Sequence, residues 1–174
     1  KKWLETGILE KPDQMTLQSL LTNSIYGIDI QGDAVRLAIF SLALALLDEL
    51  DPKTIWTKLK FDDLTQKNIV ENDFFKFLNS EISKDFSLVI GNPPFNPPNN
   101  ISNGKYASNL KRDFDYEPEL KVPDYNIALM FLAEAIQLLK PKALLCLIQP
   151  AAPLLYQDDN SFIQEFFSKY NLLQ

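Results

Sequence analysis

The sequence predicts an α/β fold, a mostly parallel β-sheet covered by helices on both faces in three layers, α/β/α. Three observations carry this. Short, continuously apolar runs have the β-branched and aromatic content of buried strands. Segments of helical periodicity separate them. Each run also stops at an acidic residue, an asparagine or a proline, where a strand would end.

The elements follow in order. "QMTLQSLLTN" (14–23) sets Met15, Leu17, Leu20 and Leu21 at helical spacing, and "SIYGIDI" (24–30) reads as a buried strand. "DAVRLAIFSLALALLDEL" (33–50) predicts a long helix with Asp33 as its N-cap and Pro52 just past its end. "KNIVENDFF" (67–75) predicts a second strand, "FFKFLNSEI" a helix, and "DFSLVIGN" (85–92) a third strand. Asn92 to Pro123 shows no clear periodicity, and the expectation is a long loop. "DYNIALMFLAEAIQLLK" (124–140) predicts a helix, "ALLCLIQP" (143–150) a fourth buried strand, and "DNSFIQEFFSKYN" (159–171) a last amphipathic helix.

Composition narrows the chemistry. At 174 residues the chain has the length of one domain, and with 46% hydrophobic residues it has material for a core. A net charge of −6 means that a nucleic-acid partner would need locally clustered basic groups or groups supplied elsewhere. The absence of histidine excludes imidazole bases, Ser-His-Asp triads and His-based metal sites within this chain. The single cysteine, Cys146, reads as a small core hydrophobe. "KKWLETGILE" lacks the apolar core of a signal peptide, and "AIFSLALALL" (38–47) is too short for a bilayer and reads as a buried helix. The expectation is a cytoplasmic chain with no membrane partner.

In parallel α/β sheets ligands bind at the carboxyl ends of the strands, so the residues that end each run matter most. Here they are Asp29, Asp73, Asn92 and Pro150. Asn-Pro-Pro occurs twice, at 92–94 and 96–98. The first copy follows "LVIG" directly and is succeeded by Phe95. Proline fixes φ, donates no hydrogen bond and pushes the preceding residue to extended geometry. Asn92 and Pro93 therefore have a stiff backbone with free carbonyls, and Asn92 adds a side-chain acceptor. Two acceptors beside an aromatic face suit a planar group bearing an NH2. A rigid turn is the plainer reading of Asn-Pro-Pro, as helix caps are of Asp29 and Asp73 and core packing is of Phe74. The second copy reads as loop stiffening.

"GNPPF" resembles motif IV of the S-adenosylmethionine-dependent amino-methyltransferases, chiefly N6-adenine DNA methyltransferases. "IYGIDIQGDAVRLAIFSLAL" resembles their motif II, "IVENDFF" motif III, and "DYNIALMFLAEAIQLLKPKALLCLIQP" motifs V and VI. The chain is especially similar to the methylase domain of large type II restriction–modification enzymes, from about Ser24 to Pro153. The resemblance implies a Rossmann-like class I methyltransferase fold. It implies that Asp29 binds the cofactor ribose, that Ile30 packs on the cofactor adenine, and that Asp73 accepts from its exocyclic amine with Phe74 beside the ring. It implies that Asn92, Pro93, Pro94 and Phe95 hold a flipped target adenine, with residues 96–123 as an active-site loop over it. Tyr106 and Phe114 are expected to serve loop packing.

The family pattern opens with a Gly-rich motif I, but residues 1–23 hold a single glycine, Gly7, and the chain stops at "KYNLLQ". The expectation is therefore an incomplete catalytic domain over 1–174, without the first and last strands and without a target-recognition domain. Double-stranded DNA would then be engaged through a parent protein, and exposed strand edges would invite self-association. Protein-glutamine and RNA base methyltransferases share Asn-Pro-Pro and stand as alternative readings, as does an inert structural piece.

Overall fold

A computed structural model of the chain describes residues 13–50, 53, 55, 64, 67–78, 85–116, 120–155 and 161–173. Gly7, Pro52, the end of the helix expected from "FFKFLNSEI", Glu117–Glu119 and the start of the last predicted helix lie outside the described residues. The chain forms two compact units, residues 1–77 and 78–174.

The first unit opens with helix α1 (Gln14–Ser24). Asp13 caps it, its Oδ1 accepting from the Thr16 N–H at 2.8 Å. Strand β1 (Gly27–Asp29) leads into helix α2 (Gly32–Asp48), and the chain returns as strand β2 (Ile69–Glu71). The strands are parallel, with Gly27 opposite Ile69, Ile28 opposite Val70 and Asp29 opposite Glu71. Helix α2 packs on both strands, as a crossover helix must. Val35, Leu64 and Ile69 form the buried centre, with Ile39 and Leu42 against it.

A buried asparagine ties this unit together. Asn68 Nδ2 donates to the Leu21 carbonyl at 2.7 Å and the Ile25 carbonyl at 2.6 Å. Its own carbonyl accepts from the Gly27 N–H at 2.7 Å. One residue thus joins the end of α1, the start of β1 and the start of β2.

Two expectations for α2 are corrected. The helix starts at Gly32 with Gln31 in the N-cap position, so Asp33 is not the cap. Asp33 lies in the first turn, ion-paired with Arg36, where a carboxylate meets the positive end of the helix dipole. Nor is the apolar run 38–47 buried all round. Leu46 is buried, but Phe40 is 59% exposed and Leu37 and Leu44 lie open beside it.

The second unit contains strands β3 (Phe86–Gly91) and β4 (Leu139–Leu147), also parallel. Leu88 faces Leu144, Ile90 faces Cys146 and Gly91 faces Leu147. The register breaks between Phe86 and Leu88, opposite Pro141 and Lys142. Proline lacks the N–H a ladder needs and Lys142 has φ 67°, so β4 bulges there. Helix α5 (Ile127–Ala135) is capped by Asn126 and carries the fully buried Ile127, Ala128, Leu129 and Met130. The helix expected over 124–140 is shorter than predicted. A 3-10 turn (Pro123–Tyr125) precedes α5, another (Ile136–Leu138) follows it, and β4 begins at Leu139.

Residues 96–123 are not one irregular loop. A turn at Pro98–Asn100 leads to helix α4 (Asn103–Phe114), capped by Ser102 and closed by left-handed Asp115. Tyr106 and Leu110 bury one face of α4, and Tyr116 behind it donates to the buried Glu134 Oε1 at 2.9 Å. The chain continues as α6 (Ala151–Leu155) and α7 (Ser161–Lys169), where Phe162 and Phe166 are buried and stack at 5.7 Å.

Within the second unit, one face of β3 and β4 is open among the described residues. Val89 and Leu145 are half-buried, whereas Leu88, Ile90 (72% exposed), Leu144 and Cys146 form an open apolar face. Cys146 is therefore exposed and not a core residue. Its neighbours in sequence are apolar because the strand is apolar, and no described element of the second unit covers that side. Among the described residues no helix is long and apolar enough to cross a membrane.

Candidate functional site

In the first unit the parallel pairing brings Asp29 and Asp73 to the same carboxyl end. Asp29 is the last residue of β1, and its carbonyl accepts from the Asn72 N–H at 3.0 Å. Its Oδ1 accepts from the Gln31 N–H at 2.8 Å, which fixes the carboxylate by a turn of its own backbone. Asp73 follows two residues after β2 and caps the short helix α3 (Phe74–Leu78). Its Oδ1 accepts from Phe75 N–H at 2.9 Å and Lys76 N–H at 3.2 Å. In both aspartates one carboxylate oxygen is held by backbone, leaving Oδ2 without a hydrogen bond among the described residues.

Ile30 is 63% exposed beside Asp29, a bare aliphatic surface next to a fixed carboxylate. Phe74 is half-buried, its ring edge-on to the fully buried Phe75 at 5.4 Å. The sequence reading passed over Glu71, the register partner of Asp29. Its carboxylate lies against Gly32 so closely that a Cβ there would run into it. The signal was a charged residue in the last position of an otherwise apolar strand. Among the described residues no group of His, Cys, Asp or Glu has the arrangement of a metal site.

In the second unit Asn92 follows β3 directly. The ladder holds to the end, since Gly91 pairs with Leu147 and the Gly91 carbonyl accepts from the Ile148 N–H at 3.0 Å. A Cβ on Gly91 would lie 3.1 Å from Leu147 Cδ2, so glycine permits the close approach of the two strands here. Asn92 is exposed, and its side-chain amide makes no hydrogen bond among the described residues. Pro93 is buried and anchors the turn, Pro94 is exposed, and Phe95 is 43% exposed. The second Asn-Pro-Pro lies beyond, where Pro98 enters a turn with Asn99 and Asn100 in the left-handed region at φ 57° and 54°. One further residue escaped the sequence reading. Gln149, just past β4, has both side-chain amide atoms shielded from solvent and no partner for either among the described residues.

The structure thus gathers Asp29, Ile30, Asp73 and Phe74 in one unit, and Asn92, Pro93, Pro94 and Phe95 in the other. A family model for the Eco57I restriction-modification methylase matches residues 23–174. The chain belongs to this family. The Eco57I match takes in β1 to β4 and both strand-end clusters. Restriction–modification methylases act on DNA, and methylases of this kind generally draw the methyl group from S-adenosylmethionine. Comparison with curated proteins returned no match, and comparison with solved structures returned none either.

Proposed function

We propose that this Eco57I-family chain is the catalytic part of a DNA adenine N6-methyltransferase that uses S-adenosylmethionine and acts on a flipped adenine. The observation that carries the reading is the first Asn-Pro-Pro-Phe, an unbonded amide and an exposed ring set by proline at the carboxyl end of a parallel strand. The parallel pairing, the crossover helix and the strand-end clusters support a Rossmann-like, three-layer methyltransferase fold. A cytoplasmic location goes with that substrate.

The first unit would hold the cofactor: Asp29 Oδ2 would accept from ribose hydroxyls, Ile30 and Phe74 would pack against the adenine, and Asp73 Oδ2 would accept from its amine. The two tethered carboxylates support this, because each presents an acceptor whose direction the backbone sets. When bound, S-adenosylmethionine supplies a methyl group on a sulfonium, an electrophile already activated.

Asn92 and Pro93 supply the nucleophile's environment. An exocyclic amine is a weak nucleophile because its lone pair is delocalised into the ring. Asn92 Oδ1 and the Pro93 carbonyl accept hydrogen bonds from its two N–H groups and draw the nitrogen towards a tetrahedral, electron-rich form. The same acceptors stabilise positive charge as it develops on N6, and N6 gives up one proton to water to leave neutral N6-methyladenine. Phe95 stacks on the base and Pro94 keeps the backbone from relaxing. The base must leave the duplex to reach Asn92 and the Pro93 carbonyl. Residues 96–123 form the element that closes over it, with Lys105, Lys111 and Arg112 exposed on α4.

The test incubates the full natural polypeptide carrying this sequence with labelled S-adenosylmethionine and duplex DNA, then digests to nucleosides. Label in N6-methyladenine that vanishes in Asn92→Ala is expected. Label in RNA or in protein glutamine would move the substrate to another class, and unchanged turnover in Asn92→Ala would remove the motif's role.

A further inference from the structure

We propose that the outer face of α4 is a docking surface for the phosphate backbone of the DNA strand that carries the target base, an inference that rests on the methyl-transfer reading above. The charge pattern points there first. From Phe86 to Arg112 the chain holds three cations, Lys105, Lys111 and Arg112, and no acidic residue, although its net charge is −6. That stretch contains β3, the first Asn-Pro-Pro-Phe and nearly all of α4. A polyanion is repelled by an acidic surface and drawn to a basic one, so this part of the chain is the one it would meet.

The helix shows which groups face outward. Tyr106 and Leu110 bury one side of α4. Lys105, Ser108 and Arg112, three and four residues apart, are exposed on the other. The Lys105 ammonium has no ion pair among the described residues. Arg112 pairs with its sequence neighbour Asp113, Nε to Oδ1 at 2.6 Å and Nη2 to Oδ2 at 2.9 Å. Both of these side chains are exposed, and such pairs are weak, so a phosphate can replace Asp113 as the partner of the guanidinium. Seven residues of helix set Lys105 and Arg112 about 10 Å apart along the axis, so that each meets its own phosphate. The turn before α4 adds Asn99 and Asn100, exposed amides of the kind that donate to phosphate oxygens.

The topology puts this face at the right end of the unit. α4 packs against the turn Pro123–Tyr125, which leads into α5. α5 and the turn after it deliver the chain to Leu139, the partner of Phe86 at the start of β3. The beginning of α5, with α4 beside it, is therefore toward the carboxyl ends of β3 and β4, where Asn92 and Phe95 lie. A strand whose base turns out into that site must run its backbone past the surface next to it. Lys140, by contrast, stands at the start of β4, at the opposite end of the strands.

The experiment titrates a fluorescent adenine-containing duplex with the full natural polypeptide, reads anisotropy, and repeats the titration over a range of NaCl concentrations. Lys105→Ala and Arg112→Ala should each weaken binding and reduce the slope of log affinity against log salt by about 0.9, and the double variant by about 1.8. Lys105→Arg and Arg112→Lys keep the charge and should keep the slope. Lys140→Ala should leave it unchanged. Asp113→Asn releases Arg112 and removes a negative charge, so it should tighten binding. Tm and S-adenosylmethionine affinity should stay at wild-type values in the α4 variants, whose substituted side chains are exposed. A double variant with the wild-type slope, an equal fall in Lys140→Ala, or weaker binding by Asp113→Asn would overturn the proposal. Tighter binding to single-stranded RNA of the same sequence would overturn it too and make RNA the partner. A wild type that makes no N6-methyladenine would overturn the reading it rests on. Adenine methylation in wild type with an unchanged slope in the double variant would overturn this inference alone.

Discussion

Removing the Asn68 side chain should loosen the first unit at the point where three elements meet. Asn68→Ala deletes two bonds, to Leu21 and Ile25 carbonyls at 2.7 and 2.6 Å, and vacates a buried site. Each bond contributes about 0.5–1.5 kcal/mol net, and a carbonyl left dry adds about 1–3 kcal/mol. Relief of the unpaired Oδ1 offsets part of this, so the loss should be on the order of 2–4 kcal/mol. For a chain of this length that lowers Tm by about 4–16 °C, at about 2–4 °C per kcal/mol. Urea unfolding of wild type and Asn68→Ala, followed by far-UV circular dichroism, measures it. Asn68→Asp sharpens the test, because a carboxylate would face two carbonyl oxygens. It should be worse than alanine at neutral pH and recover as acid restores an O–H donor. A Tm for Asn68→Ala within about 2 °C of wild type would refute the assignment of these bonds as the clamp.

Asp29→Ala should weaken S-adenosylmethionine binding about tenfold or more, by loss of a charge-assisted acceptor; isothermal titration reads it, and unaltered affinity would refute the ribose role. Asp73→Ser keeps a capping oxygen for α3 but loses the second acceptor, so cofactor affinity should fall with little change in Tm. Tyr116→Phe withdraws a donor from buried Glu134 and should cost about 1–3 kcal/mol in denaturant unfolding. Hydrogen bonding to Thr16 holds the Asp13 carboxyl below its ordinary value of 3.8. Its contribution to α1 is thus fully present above that value and is lost as pH falls through the lowered native one. Acid titration of Asp13→Asn, which caps without ionising, should lack that component of the transition.

What was legible follows from the range over which each signal acts. Strands β1 to β4 and helix α5 declare themselves because apolar runs such as "LVI" and "IALMFLA" are local. Helix α4 does not, because Asn103, Gly104, Ser108 and Asn109 have low helix propensity. Only Tyr106 and Leu110, one turn apart, mark its buried face. The Asn68 clamp joins residues 43 and 47 positions away, which no window along the chain can show. Apolar content also says what a strand prefers to bury, not whether anything covers it. That is why Cys146, Ile90 and Phe40 were expected inside and are exposed. Gln149 was missed for the converse reason, since a polar residue before proline looks like a strand end until its burial is seen.

The candidate residues were readable because each is fixed within a few positions of itself, and the two units do this by different means. Asp29 and Asp73 are held by hydrogen bonds from the next two or three backbone N–H groups. The cap reading and the ligand reading of these aspartates are therefore not rivals. A carboxylate has two oxygens, and tying one to backbone aims the other without depending on a free rotamer. Asn92 cannot be fixed in this way at no cost. Its amide has one oxygen, and a backbone donor bound there would compete with an incoming amine for the same lone pairs. The turn is stiffened through the main chain instead, by buried Pro93 and by Pro94. This accounts for two successive prolines at a strand end, where a single one would already have stopped the ladder. The first breaks the pairing, and the second restrains the residue whose carbonyl is the other acceptor in the proposed function.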